Sequence, residues 1–588
     1  MLEPAIILYP TRVDSLQNAQ SLLQNQLMSS IVYHIDILSD HKLVVKEMLL
    51  NNKQQTKVIF RLTDGNGLDS CHEGLRQKTE KKLLEEINFA KLISKNRITY
   101  LYKLSHGSGS FTNLSRILYA QSTQSLFLLE TKLTDWHLWN QVRAQADYLP
   151  TLELALEFTT KIPTNEEISR WLGEPIHSLI IPIEMFSYNI EAEYQELSYE
   201  HLQLLNRFVK RGITTVMLKG NTNDPESLKD HYSSLLFYIN ESLYAKKNCL
   251  FFYEQLMIPL QPLYENLSNR TYETFERDPA KYAIYQKAIE SALMDLIPES
   301  NIAVLMIVGA GRGPLVRACI NAGARTKRKL KIFIVEKNPS AIITLNALKR
   351  EIWSTSDITI FAEDMRVFNP PEKADIIVSE LLGSFGCNEL SPECLDGAQK
   401  HLKPSGISIP MSYTSYVNPI MSSRIYEKNL KLDRLYHPRD ECREIQTDFE
   451  CNYIVCPKNI FNIADPKPLF TFTHPNNDPV IDNTRYKTVQ FNVGVDAVLH
   501  GFLGYFEASL YKEHMISILP ATHTEGMISW HCYYFPITFP QQLKAGQTIE
   551  ASFFRCVSKN QVWYEWCLTK PNVTHIHNAG GRSFPIFK

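Results

Sequence analysis

The sequence carries no surplus of either charge. Its 61 lysines and arginines face 63 aspartates and glutamates, a formal net charge of -2 over 588 residues. No global field therefore marks a nucleic-acid or membrane-surface binder. Long apolar runs are also missing: "IAVLMIVGA", at 302–310, falls far short of the roughly 20 residues a spanning helix needs. The opening "MLEPAIILYP" has no basic stretch of the kind that precedes a secretory signal. The 11 cysteines are odd in number and never spaced as CxxC, which argues against a disulfide framework and suits free thiols in a reducing compartment. His531, Cys532, His575 and His577 do not fall into a four-ligand zinc spacing, so no metal is expected. Low-complexity tracts and sustained heptads are absent too. A cytoplasmic protein that is also nuclear is the expectation, with no membrane and no direct nucleic-acid partner.

A chain of this length exceeds what one hydrophobic core organises. Three textures divide it. Residues 1–240 hold eight short apolar runs, "AIILYP", "IVYHIDIL", "KVIFRL", "ITYLYKL", "SLFLLE", "LELALEF", "LIIPIEM" and "ITTVMLK", separated by helix-compatible segments. That alternation predicts βα units and a TIM-like (β/α) barrel. Residues 241–412 comprise a linker and a regular α/β unit, in which "IAVLMIV", "KIFIVEK", "ITIFAED" and "ADIIVSE" alternate with amphipathic segments, the order of a Rossmann-type doubly wound sheet. Residues 413–588 switch to period-two alternation, as in "YKTVQFNVGV", "TIEASFFRC" and "VWYEWCL", predicting an antiparallel β-barrel or sandwich.

In a doubly wound sheet the ligand sits at the carboxyl ends of the strands. "GAGRGP" follows the first strand directly, and Gly309, Gly311 and Gly313 let the backbone turn sharply and approach a ligand. Alone, such a turn is equally a tight strand-to-helix connection. Glu336 ends the next strand, where a carboxylate can accept the hydroxyls of a ribose. Asp364 and Met365 end the third, offering an acceptor and a soft apolar side chain to an adenine. A dinucleotide fingerprint needs a third glycine three residues beyond the second, but that position, counted from Gly311, is Pro314. The shorter G-x-G-x-G spacing favours S-adenosylmethionine, which has no phosphate to cradle.

The fourth strand ends in "SELLGSFGCNEL", with Glu380 and Glu389 at either end of the loop. Two carboxylates beside a methyl donor can hold a planar guanidinium through bidentate, charge-assisted hydrogen bonds. The substrate this predicts is arginine, with catalysis by positioning and electrostatics.

These stretches, with "TYETFERDPAKYAIYQKAI", "VEKNPSA", "ELSPECLDGAQKHLKPSGISIP", "DNTRYKTVQF" and "VWYEWCLTKPNVTHIHNAGGRSF", resemble the protein arginine N-methyltransferase 5 family, type II enzymes that form symmetric dimethylarginine. The likeness is dense over 250–588 and looser before. It implies a TIM-like barrel, a Rossmann-type donor domain and a C-terminal β-barrel. It also implies that Glu380 and Glu389 grip the guanidinium, and that Tyr272, Lys281, Tyr282, Glu336, Asp364 and Met365 line the donor site with the glycine loop. Phe275 would set the product type, and Trp530 would lie against the substrate arginine. By their residue types alone Tyr272 and Phe275 would read as packed aromatics, Trp530 as core and Lys281 as a solvated lysine.

The resemblance further implies arginine-containing protein substrates: glycine/arginine-rich tails, histones, spliceosomal and RNA-binding proteins. It implies a homo-oligomer and a WD-repeat partner on the N-terminal barrel. That barrel region opens almost at once on its first strand, shorter than is typical of animal members. "LDRLYHPRDECREIQTDFE", 432–450, stands where the family has a dimerisation segment. The alternatives are a catalytically weak scaffold of the same fold, an arginine methyltransferase of different product type, or a nucleotide-dependent oxidoreductase.

Overall fold

Each of the eight apolar runs in the first 240 residues is a strand of one closed parallel barrel. The strands are Ala5–Pro10, Ser30–His34, Lys57–Arg61, Ile98–Lys103, Ser125–Lys132, Leu152–Glu157, Ile176–Pro182 and Thr215–Gly220, and the last pairs with the first to close the ring. The computed structural model describes residues 5–10, 30–34, 57–93, 98–107, 109–122, 125–189, 194–220, 231, 233–240, 253–436 and 448–588. The expected 432–450 segment lies largely outside them. Ile7, Ile59, Leu101, Leu128, Ala155, Ile180 and Met217 form one apolar layer inside the barrel. A short antiparallel hairpin, Phe186–Asn189 with Tyr194–Leu197, interrupts the βα alternation.

The chain divides into two compact units, Met1–Phe252 with Ser422–Glu427 and Lys458–Phe461, and the remainder. In the first, the buried Arg143 guanidinium lies 2.7 Å from Glu174 and 2.9 Å from Glu427.

The second unit holds a five-stranded all-parallel sheet in the order Asp357–Phe361, Lys329–Val335, Ile302–Val308, Ala374–Ser379, Leu402–Ile409. The connecting helices Pro314–Thr326 and Pro339–Glu351 both begin with proline, whose missing N–H costs nothing at that position. Val304, Met306, Phe333, Val335 and Ile377 bury one face of the sheet against Leu395, Ala398 and Phe368. Strand order reverses between Ile302–Val308 and Ala374–Ser379, the place where such sheets open a crevice.

After residue 411 come antiparallel strands in a seven-stranded sheet centred on Ala497–Tyr511 and a four-stranded sheet of Arg485–Asn492, Thr548–Val557, Gln561–Lys570 and Ile586–Phe587. The expected antiparallel β domain is thus built as two sheets around one aromatic core. Phe535 of the larger sheet meets Phe553 and Trp566 of the smaller at ring distances of 5.4 and 5.3 Å. Phe385, from the loop after Ala374–Ser379, enters this core. It stacks on Tyr533 at 5.5 Å and meets Phe535 edge-on at 5.1 Å. The parallel and antiparallel sheets therefore share a core at the very loop that carries the two glutamates.

Candidate active site

A cavity of about 490 Å³ opens at the strand-order reversal. The glycine loop forms its floor. Gly309 and Gly311 have φ of 69° and 54°, a region where a Cβ is strained. A Cβ on Gly309 would stand 2.6 Å from Leu381 Cδ2, and one on Gly311 3.0 Å from the Tyr272 ring. Gly313 does not line the cavity. It caps the helix Pro314–Thr326 with φ 94° and packs where a Cβ would meet Trp353 at 2.6 Å.

The strand-end acids are held by hydrogen bonds that the sequence does not announce. Glu336 accepts the Gly311 N–H at 2.7 Å and those of Lys337 and Asn338 at 2.8 Å each. A carboxylate has about four acceptor positions. Glu336 therefore keeps room for one further strong bond, which narrows the expectation that it takes both ribose hydroxyls. Asp364 is clasped by Arg366, with Nη2 at 2.7 Å and Nε at 3.0 Å. Burial pushes the Asp364 carboxyl up, but the Arg366 side chain and N–H outweigh it and leave the group below its ordinary range. Tyr272 accepts a bond from Asn338 Nδ2 at 3.2 Å. Burial, then the field of Glu336, pushes its phenol up to about 12.

The helix Asn269–Glu276, which carries Tyr272 and Phe275, is tied to the glycine loop by Arg312. Its Nε and Nη2 each lie 2.9 Å from the Glu276 carboxylate. The arginine inside "GAGRGP" was the one available signal for this contact, but its partner could not be read from spacing.

At the other end of the cavity Lys281 is almost fully buried, its Nζ 3.0 Å from Glu380 Oε2. The same ammonium lies 4.8 Å from the Tyr282 ring centroid, 4.9 Å from Trp530 and 5.7 Å from Phe275. A solvated lysine would make none of these contacts. One carboxylate and three aromatic faces thus surround a single cation. Trp530 is aimed by its Nε1, which donates to the Leu382 carbonyl at 2.8 Å, and by an edge-on contact with Phe506 at 5.0 Å.

Glu389 opens onto the same cavity from a 3-10 turn, Cys387–Glu389. Burial, and next the like charge of Glu380, raise its carboxyl well above the ordinary range, with Lys281 acting against them. Its loop is anchored at several points. Asn388 Oδ1 accepts the Phe385 N–H at 2.7 Å, Ser415 donates to the Phe385 carbonyl at 2.6 Å, and the Cys387 thiol lies 2.9 Å from the Tyr564 hydroxyl. Of the residues picked out from the sequence, Glu380, Glu389, Phe275, Trp530, Tyr272, Lys281, Tyr282, Glu336, Asp364, Met365, Gly309 and Gly311 all line this one cavity.

Comparison with known families places nearly the whole chain. Residues 34–245 match the PRMT5 TIM barrel domain, 244–409 the PRMT5 arginine-N-methyltransferase and 412–586 the PRMT5 oligomerisation domain. The chain belongs to the protein arginine N-methyltransferase 5 family. Protein arginine N-methyltransferase 5 of Xenopus laevis is 38% identical over 92% of this chain and 90% of its own length. That of Drosophila melanogaster is 38% identical over 91% of each. That of Oryza sativa subsp. japonica is 37% identical over 90% of this chain and 87% of its own. As a member of the arginine N-methyltransferase 5 family, the chain is an arginine methyltransferase by kinship, and the cavity lies within the segment matched to the methyltransferase model and its β partner.

Among the described residues no group of three or more His, Cys, Asp or Glu is placed to hold a metal ion, and no helix is long and apolar enough to cross a membrane.

Proposed function

We propose that the protein transfers methyl groups from S-adenosylmethionine to the terminal guanidino nitrogens of protein arginines, giving monomethyl and then symmetric dimethylarginine. The observation that carries this reading is the cation site at one end of the cavity, where the Lys281 ammonium lies 3.0 Å from Glu380 and within 5.7 Å of the Phe275, Tyr282 and Trp530 ring centroids, with Glu389 lining the same cavity. A site built this way suits a flat guanidinium, which stacks on aromatic faces and presents paired N–H donors.

The donor fits the residues present. Glu336 has one acceptor position left, Asp364 is held anionic at the third strand end, and Met365 and Leu381 give apolar surface beside Gly309. When bound, the donor supplies a methyl group made electrophilic by its sulfonium. Glu380 and Glu389 hold the guanidinium and draw its charge toward the bound nitrogens, leaving another terminal nitrogen to face the methyl. A carboxyl raised in pKa takes a proton more readily than an ordinary one, so Glu389 is suited to receive the proton that the alkylated nitrogen sheds. Phe275 closes the pocket on one side, and its bulk selects which nitrogen is presented for the second transfer.

The substrates on this reading are glycine/arginine-rich tails of histones, spliceosomal and RNA-binding proteins in cytoplasm and nucleus. The protein acts as a homo-oligomer through its C-terminal domain, with the N-terminal barrel as the seat of a WD-repeat partner.

The test is fragment-ion mass spectrometry of a histone H4 tail incubated with the purified chain and labelled S-adenosylmethionine, alongside Glu380→Gln and Glu389→Gln. Symmetric dimethylarginine that disappears in both variants is the expected result. Asymmetric product would refute the role of Phe275, and donor binding without transfer would refute activity of the isolated chain.

A further inference from the structure

Asp278 stands outside the cavity and is fully buried, yet it touches both walls of the arginine seat through backbone. Its Oδ1 accepts the Lys281 N–H at 3.1 Å and so caps the helix Pro279–Leu296. Its Oδ2 accepts the N–H groups of Ile528 at 2.9 Å and Ser529 at 2.7 Å, some 250 positions away in the chain. On one side Asp278 sits midway between Phe275 and Lys281. On the other, Ser529 is followed directly by Trp530.

Trp530 has φ 65°, a left-handed conformation that a bulky residue holds only when its surroundings impose it. The bonds to Asp278 immediately before it and the Nε1 bond to Leu382 are what impose it here. Burial alone would push the Asp278 carboxyl up, but the three N–H donors and the Ser529 side chain outweigh this and hold it below its ordinary value. It therefore stays anionic, which also suits the start of a helix.

We infer that Asp278 is a positioning residue that sets the Phe275–Lys281 wall and the Trp530 wall at the spacing a guanidinium requires. This rests on the arginine-methyltransfer reading above. The carboxylate never meets substrate. It acts by fixing one aromatic face against another, so its loss falls on arginine binding and on the second methyl transfer.

The discriminating variant is Asp278→Ser, which keeps one oxygen to cap the helix but lacks the second oxygen for Ile528 and Ser529. Asp278→Asn, which keeps the shape but must turn its NH2 toward a backbone N–H at one end, serves as the second variant. Expected for Asp278→Ser is a rise of about tenfold in peptide KM, the scale of losing hydrogen bonds to a charged group. The share of monomethylarginine in the product should rise, and hydrogen exchange at 526–531 should quicken. Asp278→Asn should show the same rise in KM and in monomethyl product. A merely structural role would instead lower Tm and kcat together and leave KM and the product ratio alone, which overturns the inference. If the native protein transfers no methyl group, the functional reading fails first. Peptide affinity by calorimetry then still decides the matter, and an affinity unchanged in Asp278→Ser overturns the positioning role.

Discussion

Replacing Glu389 by glutamine should make the protein more stable and nearly inactive at once. The two effects come from one desolvated charge. The change keeps the shape of the side chain and removes its negative charge. Removing the charge of one member of the pair that Glu389 would form with a bound guanidinium costs about 2–5 kcal/mol. At about 1.4 kcal/mol per decade, kcat/KM should drop by about thirtyfold to several-thousandfold. Stability moves the other way. Burial and the charge of Glu380 raise the folded-state pKa of Glu389 above its unfolded value. A group so raised contributes stability below its unfolded pKa and loses that contribution as pH rises through the folded value. Above that window the ionised carboxylate is a penalty that glutamine does not carry. Thermal unfolding of both proteins followed from about pH 5 to about pH 9, with kinetics on the same preparations, should show the variant with the higher Tm at the alkaline end and the gap shrinking toward the acid end. A variant less stable at every pH by the same margin would mean that the carboxylate is stabilised in place, and the desolvation reasoning would be wrong.

Other perturbations follow from the same structure. Arg555 is fully buried, with Nη1 2.9 Å and Nη2 2.8 Å from the Glu393 carboxylate, so Arg555→Met should cost about 3–5 kcal/mol in chemical denaturation, and adding Glu393→Leu should recover most of it. A loss under about 1 kcal/mol would contradict this. Gly309→Ala combines positive φ with a Cβ 2.6 Å from Leu381, so it should lower stability by about 1–2 kcal/mol from left-handed strain alone and weaken S-adenosylmethionine binding in calorimetry as Leu381 and the loop shift. Unchanged donor affinity would remove the glycine loop from the site. The Glu450 carboxyl, pushed up by burial but drawn down to about 2 by His575 and Arg582, contributes stability that is present above its unfolded pKa and lost as pH falls through about 2. Acid unfolding should therefore lose a steep component in Glu450→Gln, and an acid limb identical to the native protein's would refute it.

What could be read in advance was whatever repeats locally. All eight barrel strands showed as apolar runs because a parallel barrel buries its strands on both faces. Several other strands did not stand out, two of them for clear reasons. Ala497–Tyr511 is buried almost throughout, so the period-two signal of its neighbours vanishes. Leu402–Ile409 contains "KPSG", which reads as a turn, and it pairs irregularly, shifting register between Ala374 and Ile376. In the site, the strand-end acids and the glycines were legible because chain topology alone places them. The contacts that aim them were not. Arg312 with Glu276, Arg366 with Asp364 and Asp278 with Ser529 depend on side-chain direction or on segments hundreds of residues apart, and no spacing rule encodes either. Gly313 belonged to the motif yet serves helix packing, because the third glycine of a turn can face the next helix rather than the ligand.

The loop between Glu380 and Glu389 shows why the parallel sheet and the antiparallel domain form one compact unit. A carboxylate raised in pKa is an unfavourable group, and a loop left to relax would turn it out to water. Phe385 prevents this by burying its ring among Tyr533, Phe535 and Tyr564, and burying an aromatic side chain contributes about 1.5–3 kcal/mol. Ser415 and Asn388 satisfy the backbone on either side of that ring, and Glu393 just beyond is fixed by Arg555. The antiparallel domain therefore does more than cover the cavity: its aromatic core supplies the free energy that keeps Glu389 facing inward.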